Sequence, residues 1–294
     1  MPKIDKSLYT KEEFKRLKEQ RRREKEQKRR QEALQELSAL GQQIESGENY
    51  HPHNPLVKSQ NYVLCLKHGT KYSSKYVNTL YSMVKRNLTI PFTMVCLTDN
   101  KQDIDKDILC LDLPKELTGW WCKPYMYSAD LPLAKDSTIL YMDLDVVISG
   151  NLNKLFDYEK DKWCVIRDFT RAMQSNWQKY NSSVIRFKVG QLHSVWATFR
   201  SDPQKIIKSH FGDQDWLYNA THQNNPATLW PDEWIRSWKW EIRKDRHLAS
   251  GSKGNRKFQK IEDVIPSPEC SICVFHGDPN PHNCDDPWVK HNWY

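Results

Sequence analysis

The sequence predicts an α/β protein built on a mostly parallel sheet, and three observations carry that prediction. Apolar, β-rich runs recur at residues 62–66, 92–98, 108–113 and 139–148, and a helical pattern at 76–84 separates the first two. Strands that alternate with helices are typical of a parallel sheet. The chain has 294 residues with 12 tryptophans, enough to bury a core around large rings although hydrophobic residues make up only 38%.

The later segments continue this pattern less regularly. Strands are predicted at residues 163–166, 183–187 and 273–276, and helices at 191–200 and 213–221. Periodicity alone leaves the order of these strands in the sheet open. The chain has neither a GxxxxGK[ST] phosphate loop nor a Gly-rich dinucleotide fingerprint, which argues against a nucleoside triphosphatase or a dehydrogenase.

The first 45 residues differ from the rest in composition and charge. A capping box at Thr10 and Glu13 opens a run without Gly or Pro, and residues 1–45 hold 13 Lys and Arg against 9 Asp and Glu. This charged helix suits a nucleic acid, an acidic surface or a protein partner, and a solvated helix is the plain alternative. The predicted organisation is therefore a basic helical arm over 1–45, a linker over 46–60 and a catalytic domain over 61–294.

The sequence also bears on the environment of the protein. Its longest apolar stretch contains Asp143 and Asp145, so a membrane span is not expected. Because no apolar signal region opens the sequence, we expect a cytoplasmic protein whose eight cysteines are reduced thiols in the core. A zinc site of Cys270, Cys273, Cys284 and His282 is disfavoured by its irregular spacing.

Two carboxylates close the most apolar strand segment. Asp143 and Asp145 are two residues apart, a spacing that places both on one side of a strand, about 6 to 7 Å from each other. Such pairs are typical of Mg²⁺ or Mn²⁺ sites that share the ion with phosphates. His276 ends a later strand and is a candidate third ligand, and its nitrogen favours Mn²⁺ over Mg²⁺. The plain alternatives are a chance Asp-x-Asp and a histidine before a turn.

Four short motifs follow one another along the chain: Asp143-Leu-Asp145, Asn181-Ser-Ser183, Gly212-Asp-Gln-Asp215 and His276-Gly-x-Pro-x-Pro281. Their order resembles that of metal-dependent nucleotide-sugar glycosyltransferases of the GT-A fold, a Rossmann-like mixed sheet with flanking helices. The resemblance is to family 8, which includes glycogenin and bacterial lipooligosaccharide galactosyltransferases, and it covers about residues 60–285. It implies a hexosyltransferase that uses a nucleotide-sugar, a UDP-sugar by family likeness, with Mn²⁺ or Mg²⁺.

The resemblance assigns residues to the nucleotide and the metal. Asp143, Asp145 and His276 would hold the ion, and Asp143 would also reach the ribose. Thr98 and Asp99 end the second strand in the half that binds the nucleotide. Two further residues belong with the diphosphate: Lys123, whose plain alternative is a surface lysine beside two core tryptophans, and Gly277 in the closing loop.

Other matched residues would contact the sugar. Asp168 and Asn181 match positions that bind hydroxyls of the donor sugar. Gln214 would face the anomeric carbon if transfer retains configuration, as the likeness implies. If transfer inverts configuration, Asp213 or Asp215 would be the general base.

The sequence departs from the family pattern at two places and leaves other functions open. Asn280 stands where relatives commonly have a diphosphate-binding Lys, and Ser183 stands where they often have Gly. The alternatives are a binding module that uses the basic helix, and a metal-dependent nucleotidyltransferase. The acceptor is not specified; four tryptophans would either stack on it or pack in the core, namely Trp230, Trp234, Trp238 and Trp240.

Overall fold

The structure is a computed structural model that describes residues 59–243 and 265–294. The predicted arm over 1–45 and most of the predicted linker lie outside the described residues, so the domain boundaries stay predictions. In the described part of the chain, no helix has both the length and the apolar character needed to span a membrane.

Two β-sheets organise the described residues. In chain order the strands are β1 Asn61–Lys67, β2 Thr93–Thr98, β3 Leu109–Asp112, β4 Thr138–Met142, β5 Val146–Ile148, β6 Cys164–Arg167, β7 Tyr180–Lys188, β8 Thr228–Leu229, β9 Ile235–Ser237 and β10 Ile272–Val274. The large sheet has the order β3-β2-β1-β4-β7-β6-β8, and the small one has β5-β10-β9. Strands β1 to β4 are mutually parallel, whereas β7 runs antiparallel to β4 and β6.

Helices cover the sheets, and the three predicted over residues 76–84, 191–200 and 213–221 are among them. They are α1 Ser74–Asn87, α2 Asn153–Asp157, α3 His193–Ser201, α4 Pro203–Ser209, α5 Asp213–Thr221 and α6 Pro287–Asn292, with 3₁₀ helices at Gly119–Tyr127, Phe169–Ala172 and Pro281–Asn283 and a π-helical turn at Trp238–Ile242. In α1 the buried side chains recur at helical spacing, as at Tyr76, Leu80 and Met83. That periodicity is why α1 is readable from the sequence.

The prediction of one strand over residues 139–148 is wrong. Strand β4 ends at Met142 in the large sheet, and β5 begins at Val146 in the small sheet. The Asp143 N–H still donates to the Ser183 carbonyl at 2.8 Å, beside β7, whereas the Asp145 carbonyl accepts from the Phe275 N–H at 2.8 Å, beside β10. The chain therefore crosses between the sheets within Asp143-Leu144-Asp145.

The structure decides between the two alternatives for the four tryptophans. Trp230 and Trp238 are fully buried, and Trp234 and Trp240 pack against the same core, so these four belong to the core rather than to an open platform. Trp120, which the plain alternative for Lys123 placed in the core, is 58% exposed. The thiol prediction is confirmed in part: all eight cysteines lie within the described residues, all are free, and all but Cys110 are buried.

A buried arginine fastens the middle of the large sheet. Arg186 on β7 is 1% exposed. Its guanidinium donates to the carbonyls of Leu155 at 2.8 Å, Glu159 at 2.7 Å and Lys162 at 2.8 Å, and also to those of Phe156 and Tyr158. It thus satisfies carbonyl groups at the end of α2 and in the turn before β6.

We expect Arg186→Met to lower the free energy of unfolding by at least about 3 kcal/mol, since several buried carbonyls would lose their donor. Urea denaturation followed by circular dichroism measures this. Lys188→Met, on the same strand, is the matched control because its pair with Asp161 is exposed, and it should cost under about 1 kcal/mol. Equal effects of the two substitutions would contradict the role of Arg186.

Candidate active site

A lysine joins three segments at one edge of the large sheet. The ammonium of Lys123, on the first 3₁₀ helix, lies 2.8 Å from Asp143 Oδ1 and 3.1 Å from Asp143 Oδ2. It also lies 3.7 Å from Asp213 Oδ2 at the start of α5, and it donates to Ser182 Oγ on β7 at 3.2 Å. We call Lys123, Asp143, Asp213 and Ser182 the lysine bridge. Three predicted site residues thus meet in one contact.

The lysine bridge is well shielded from water. The side chains of Lys123 and Asp213 are each 12% exposed. Burial by itself lowers the pKa of Lys123, but the charges of Asp143 and Asp213 outweigh it and leave that pKa above its usual range. Burial likewise raises the pKa of Asp213, opposed by Lys123 and by the Ser182 hydroxyl, which donates to Asp213 at 2.6 Å.

The second carboxylate of the pair lies apart from the bridge. Asp145 Oδ2 accepts a hydrogen bond from the Tyr72 hydroxyl at 2.8 Å. Burial and the neighbouring Asp143 charge raise the pKa of Asp145 to about 6. A partly buried carboxylate beside a like charge favours a cation at this point.

The contact between Tyr72 and Asp145 spans a special position in the sheet. Tyr72 follows β1 and Asp145 follows β4, which are neighbouring parallel strands. From β1 the chain adds β2 and β3 on one side of the sheet and then β4 on the other side, so the strand order switches direction between β1 and β4. In open α/β sheets, ligands bind outside the carboxyl ends of the strands at such a switch point. The carboxylate pair therefore occupies the place where this architecture binds ligands.

The predicted sugar-binding residues meet on the α5 side. Asn181 Nδ2 donates to Gln214 Oε1 at 3.4 Å, while Asn181 Oδ1 accepts from the Ser183 N–H at 3.1 Å. Asp213 and Asp215 both lie in the first turn of α5. Side chains two residues apart on a helix do not share a face, so Asp215 diverges from the lysine bridge that holds Asp213. The hydrogen bond from Asn181 orients the Gln214 amide.

A cavity of about 290 Å³ lies beyond the carboxyl ends of β1, β2 and β3. Its lining includes Thr98 and Asp99, as predicted, together with His68. Asp99 Oδ2 accepts from the Gly69 N–H at 2.8 Å and lies 3.9 Å from His68 Nε2. Thr98 is fully buried and its hydroxyl donates to the Asn100 carbonyl, so it shapes the turn rather than presenting its hydroxyl to a ligand.

The histidine of the closing motif is held by the small sheet. His276 Nε2 lies 2.6 Å from Ser237 Oγ, and the same oxygen accepts from the Trp240 N–H at 3.1 Å. Burial, then the Lys239 charge, lowers the pKa of His276 to about 4, so the ring is neutral.

Asp168, predicted to bind sugar, caps the 3₁₀ helix Phe169–Ala172 by accepting from the Thr170 N–H at 3.0 Å.

The predicted metal ligands fit an ion in part. Asp143 and Asp145 are hard oxygen donors that follow the same strand, and the raised pKa of Asp145 marks uncompensated charge. His276 instead directs Nε2 to Ser237. Within residues 59–243 and 265–294, no group of three or more His, Cys, Asp or Glu side chains is arranged to hold a metal ion. The three-residue ligand set stays a prediction.

The departure at Asn280 leaves other cations beside the closing loop. Asn280 begins the turn at Pro281–Asn283, where its N–H donates to Asn283 Oδ1 at 2.7 Å. Gly277 has φ +80°, and a Cβ there would lie 3.5 Å from the Lys239 ammonium, which donates to the His276 carbonyl at 2.7 Å. Only glycine adopts this conformation without strain.

A further cation lies near Asp145. Lys71 is exposed, lies over the Tyr72 ring and lowers the pKa of Asp145 by its charge.

Sequence reasoning missed several residues that the site uses, including Tyr72, Ser182, His68, Ser237 and Lys239. One more had a readable signal: Tyr141 precedes Asp143 by two residues on β4, so both share a face of the strand, and its hydroxyl donates to Asp143 Oδ1 at 2.6 Å. Ser182 lay inside the Asn181-Ser-Ser183 motif without a role of its own, and no spacing connects the remaining residues to the carboxylate pair.

Comparison with solved structures identifies the fold. The chain is similar to the galactosyltransferase LgtC, solved in complex with donor and acceptor sugar analogues, with a TM-score of 0.53 and 12% identity over 78% of this chain and 93% of LgtC. It is similar to the glycosyltransferase GlyE of Streptococcus pneumoniae TIGR4, with a TM-score of 0.52 and 16% identity over 76% of this chain and 57% of GlyE. For the bifunctional glycosyltransferase WbbM the TM-score is 0.54 and the identity 12%, over 84% of this chain and 53% of WbbM.

The fold is therefore that of the GT-A glycosyltransferases, as the order of the motifs predicted. No protein-family model and no curated protein sequence matches the chain. At identities of 12 to 16% the similarity establishes the fold, so the argument for activity depends on the residues of the site.

We expect Lys123→Met to lower the free energy of unfolding by about 3 kcal/mol, because two shielded carboxylates would lose their counter-charge. Chemical denaturation at pH 7.5 measures this. Lys101→Met removes the exposed pair of Lys101 with Asp112 and should cost under about 1 kcal/mol. A loss no larger for Lys123→Met than for this control would show that the bridge does not stabilise the fold.

We expect Asp145→Asn to stabilise the metal-free protein at pH 8 by about 2 kcal/mol, since the folded state there holds a charge that it disfavours. The gain should shrink as the pH falls through about 6 and vanish below the ordinary value of 3.8, where folded and unfolded chains are both protonated. Urea denaturation at pH 4, 6 and 8 with chelator measures it. A difference that does not change with pH would contradict this cause.

Proposed function

We propose that this chain is a glycosyltransferase that moves a sugar from a nucleotide-sugar donor to an acceptor. The observation that carries the proposal is the lysine bridge. It connects the Asp143 segment, the Asn181-Ser-Ser183 segment and the Asp213 segment, which are three of the four motifs of the family resemblance. The sequence related these segments only by their order along the chain. In the structure they contact one another at the switch point of the sheet.

The donor is proposed to lie across the carboxyl edge of the sheet. The cavity lined by His68 and Asp99 takes the base, and its 290 Å³ is at the small end for ligand sites. The family likeness supports uridine as the nucleoside. The diphosphate then lies at Asp143 and Asp145, and the sugar lies against Asn181 and Gln214, whose amides hydrogen-bond to hydroxyl groups.

We propose that Asp145 binds Mn²⁺ or Mg²⁺ together with the diphosphate, and that Asp143 becomes a second ligand when one of its oxygens exchanges the Lys123 ammonium for the ion. When bound, the ion neutralises the charge that develops on the leaving diphosphate. His276 becomes a ligand through Nε2 only if the Ser237 hydroxyl releases that atom. The exposed Lys71 beside Asp145 takes the place of the Lys that relatives have at position 280, because its ammonium reaches solvent whereas Lys239 is 2% exposed.

The arrangement supports retention of configuration. In transfer, the bond between the anomeric carbon and the phosphate oxygen breaks with its electrons on that oxygen, and the acceptor hydroxyl forms the new bond. Asp213 is engaged by Lys123 and Ser182, so one of the two candidate general bases that inversion would need is already held. The leaving phosphate then accepts the acceptor proton, and the Gln214 amide supports the reacting carbon.

The test is nucleotide release from a panel of UDP- and GDP-sugars by the full chain, with Mn²⁺ or with chelator. We expect release from a UDP-sugar that requires the metal and falls at least about 100-fold in Asp145→Asn, because the developing charge loses its main compensation. Coupled detection of free UDP or GDP measures the rate.

The matched control is Asp161→Asn, which makes the same chemical change at a side chain that is 94% exposed, and it should release nucleotide at the native rate. If no donor is bound or turned over, or if Asp145→Asn equals the native chain, the proposed transferase is wrong and the carboxylate pair is structural.

A further inference from the structure

Two large aromatic side chains are exposed beside the candidate active site. Trp120 is 58% exposed and Phe211 is 80% exposed, although both side chains are strongly apolar. Trp120 is the second residue of the first 3₁₀ helix, and Phe211 lies two residues before the start of α5. Exposed aromatics of this kind in one place mark a binding surface more often than chance exposure.

The backbone places Trp120 on the side of the lysine bridge. Residues three apart on a 3₁₀ helix lie on the same face, so Trp120 and Lys123 point the same way. The Trp120 indole Nε1 lies 3.7 Å from the position that a Cβ would take on Gly212. Gly212 separates Phe211 from Asp213, so the indole lies against the backbone that joins the exposed phenyl ring to the bridge.

Polar side chains follow Phe211 closely along the chain. Gln214 and Asp215 follow Asp213 in the first turn of α5, and both are only half-buried. An aromatic face with amide and carboxylate groups at its rim suits a ligand with one apolar face and hydroxyls at its edge, which is the chemistry of a pyranose ring. A lipid surface is a poorer occupant because two carboxylates, Asp213 and Asp215, lie in the helical turn that follows Phe211.

We propose that Trp120 and Phe211 form the acceptor subsite and that the acceptor is a carbohydrate, whose sugar ring stacks on the indole with its reacting hydroxyl toward Gln214. This inference rests on the proposed glycosyltransferase function and adds the class of acceptor. Trp120 and Phe211 act by binding the acceptor, whereas the donor lies at the carboxylate pair and the cavity of His68 and Asp99.

The experiment measures sugar binding and transfer separately on the full chain. Methyl α- and β-glycosides of glucose, galactose and xylose, with lactose and maltose, are tested for saturation-transfer NMR signals without donor. The same sugars are then tested for product by mass spectrometry with the donor that releases nucleotide. The variants are Trp120→Ala, Trp120→Phe and Phe211→Ala.

The control is Tyr294→Ala. It also removes a ring that is 61% exposed, but this ring packs on Arg86 in the last turn of α1, at the end of that helix away from Tyr72. It should leave sugar binding and transfer at native values.

We expect at least one sugar to bind and to accept transfer in the native chain. Trp120→Ala should lower the ratio of transfer to donor hydrolysis about tenfold or more and should abolish the saturation signal, because the stacked apolar area is lost. Phe211→Ala should lower both, and Trp120→Phe should restore most of the signal since it retains an aromatic face. Native values in both alanine variants, or no sugar bound or transferred by the native chain, would overturn the inference.

The two proposals fail in distinguishable ways. If Asp145→Asn abolishes nucleotide release while Trp120→Ala and Phe211→Ala transfer to sugars as the native chain does, the transferase stands and the acceptor subsite is wrong. If no donor is turned over but sugars bind in a Trp120-dependent manner, the transferase is wrong and the aromatic subsite stands.

Discussion

The contact of one lysine with two shielded carboxylates is the interaction on which the candidate site depends. Asp143 and Asp213 come from segments far apart along the chain, and both lie close to Lys123 with little access to water. Without the lysine, two negative charges would remain together in a region of low dielectric, and the start of α5 would lose its charged contact at the sheet edge. Fold and site are therefore coupled through the same ammonium group.

The crossing between the two sheets gives the carboxylate pair its chemistry. The backbone of Asp143 hydrogen-bonds beside β7 of the large sheet, and the backbone of Asp145 hydrogen-bonds beside β10 of the small sheet. The two residues are therefore fixed by different sheets, although both come directly after β4. The bridge neutralises Asp143, and Asp145 retains a raised pKa. One carboxylate thus maintains the architecture, and the other holds negative charge where a cation is favoured. Local instability at a functional group, fixed by the surrounding fold, is common in active sites.

The site also separates its proposed tasks in space. The cavity of His68 and Asp99 lies at the ends of β1 to β3, and the exposed rings of Trp120 and Phe211 lie by the start of α5. The 3₁₀ helix Gly119–Tyr127 contributes to both the bridge and the aromatic surface, because its three-residue repeat aligns Trp120 with Lys123. Donor and acceptor would then meet beside Gln214.

The sequence by itself determined the strands β1 to β3, the helices α1 and α5, the carboxylate pair and the order of the motifs, because each depends on local periodicity or on neighbouring residues. Only the tertiary structure decided that 139–148 crosses between two sheets, that Lys123 pairs with Asp213, that Ser237 engages His276, and that Trp120 is exposed whereas Trp230 and Trp238 are buried. These features depend on contacts between residues distant along the chain. The sequence shows that an apolar side chain must be buried or that a charge must be paired, but it does not show which residue is the partner.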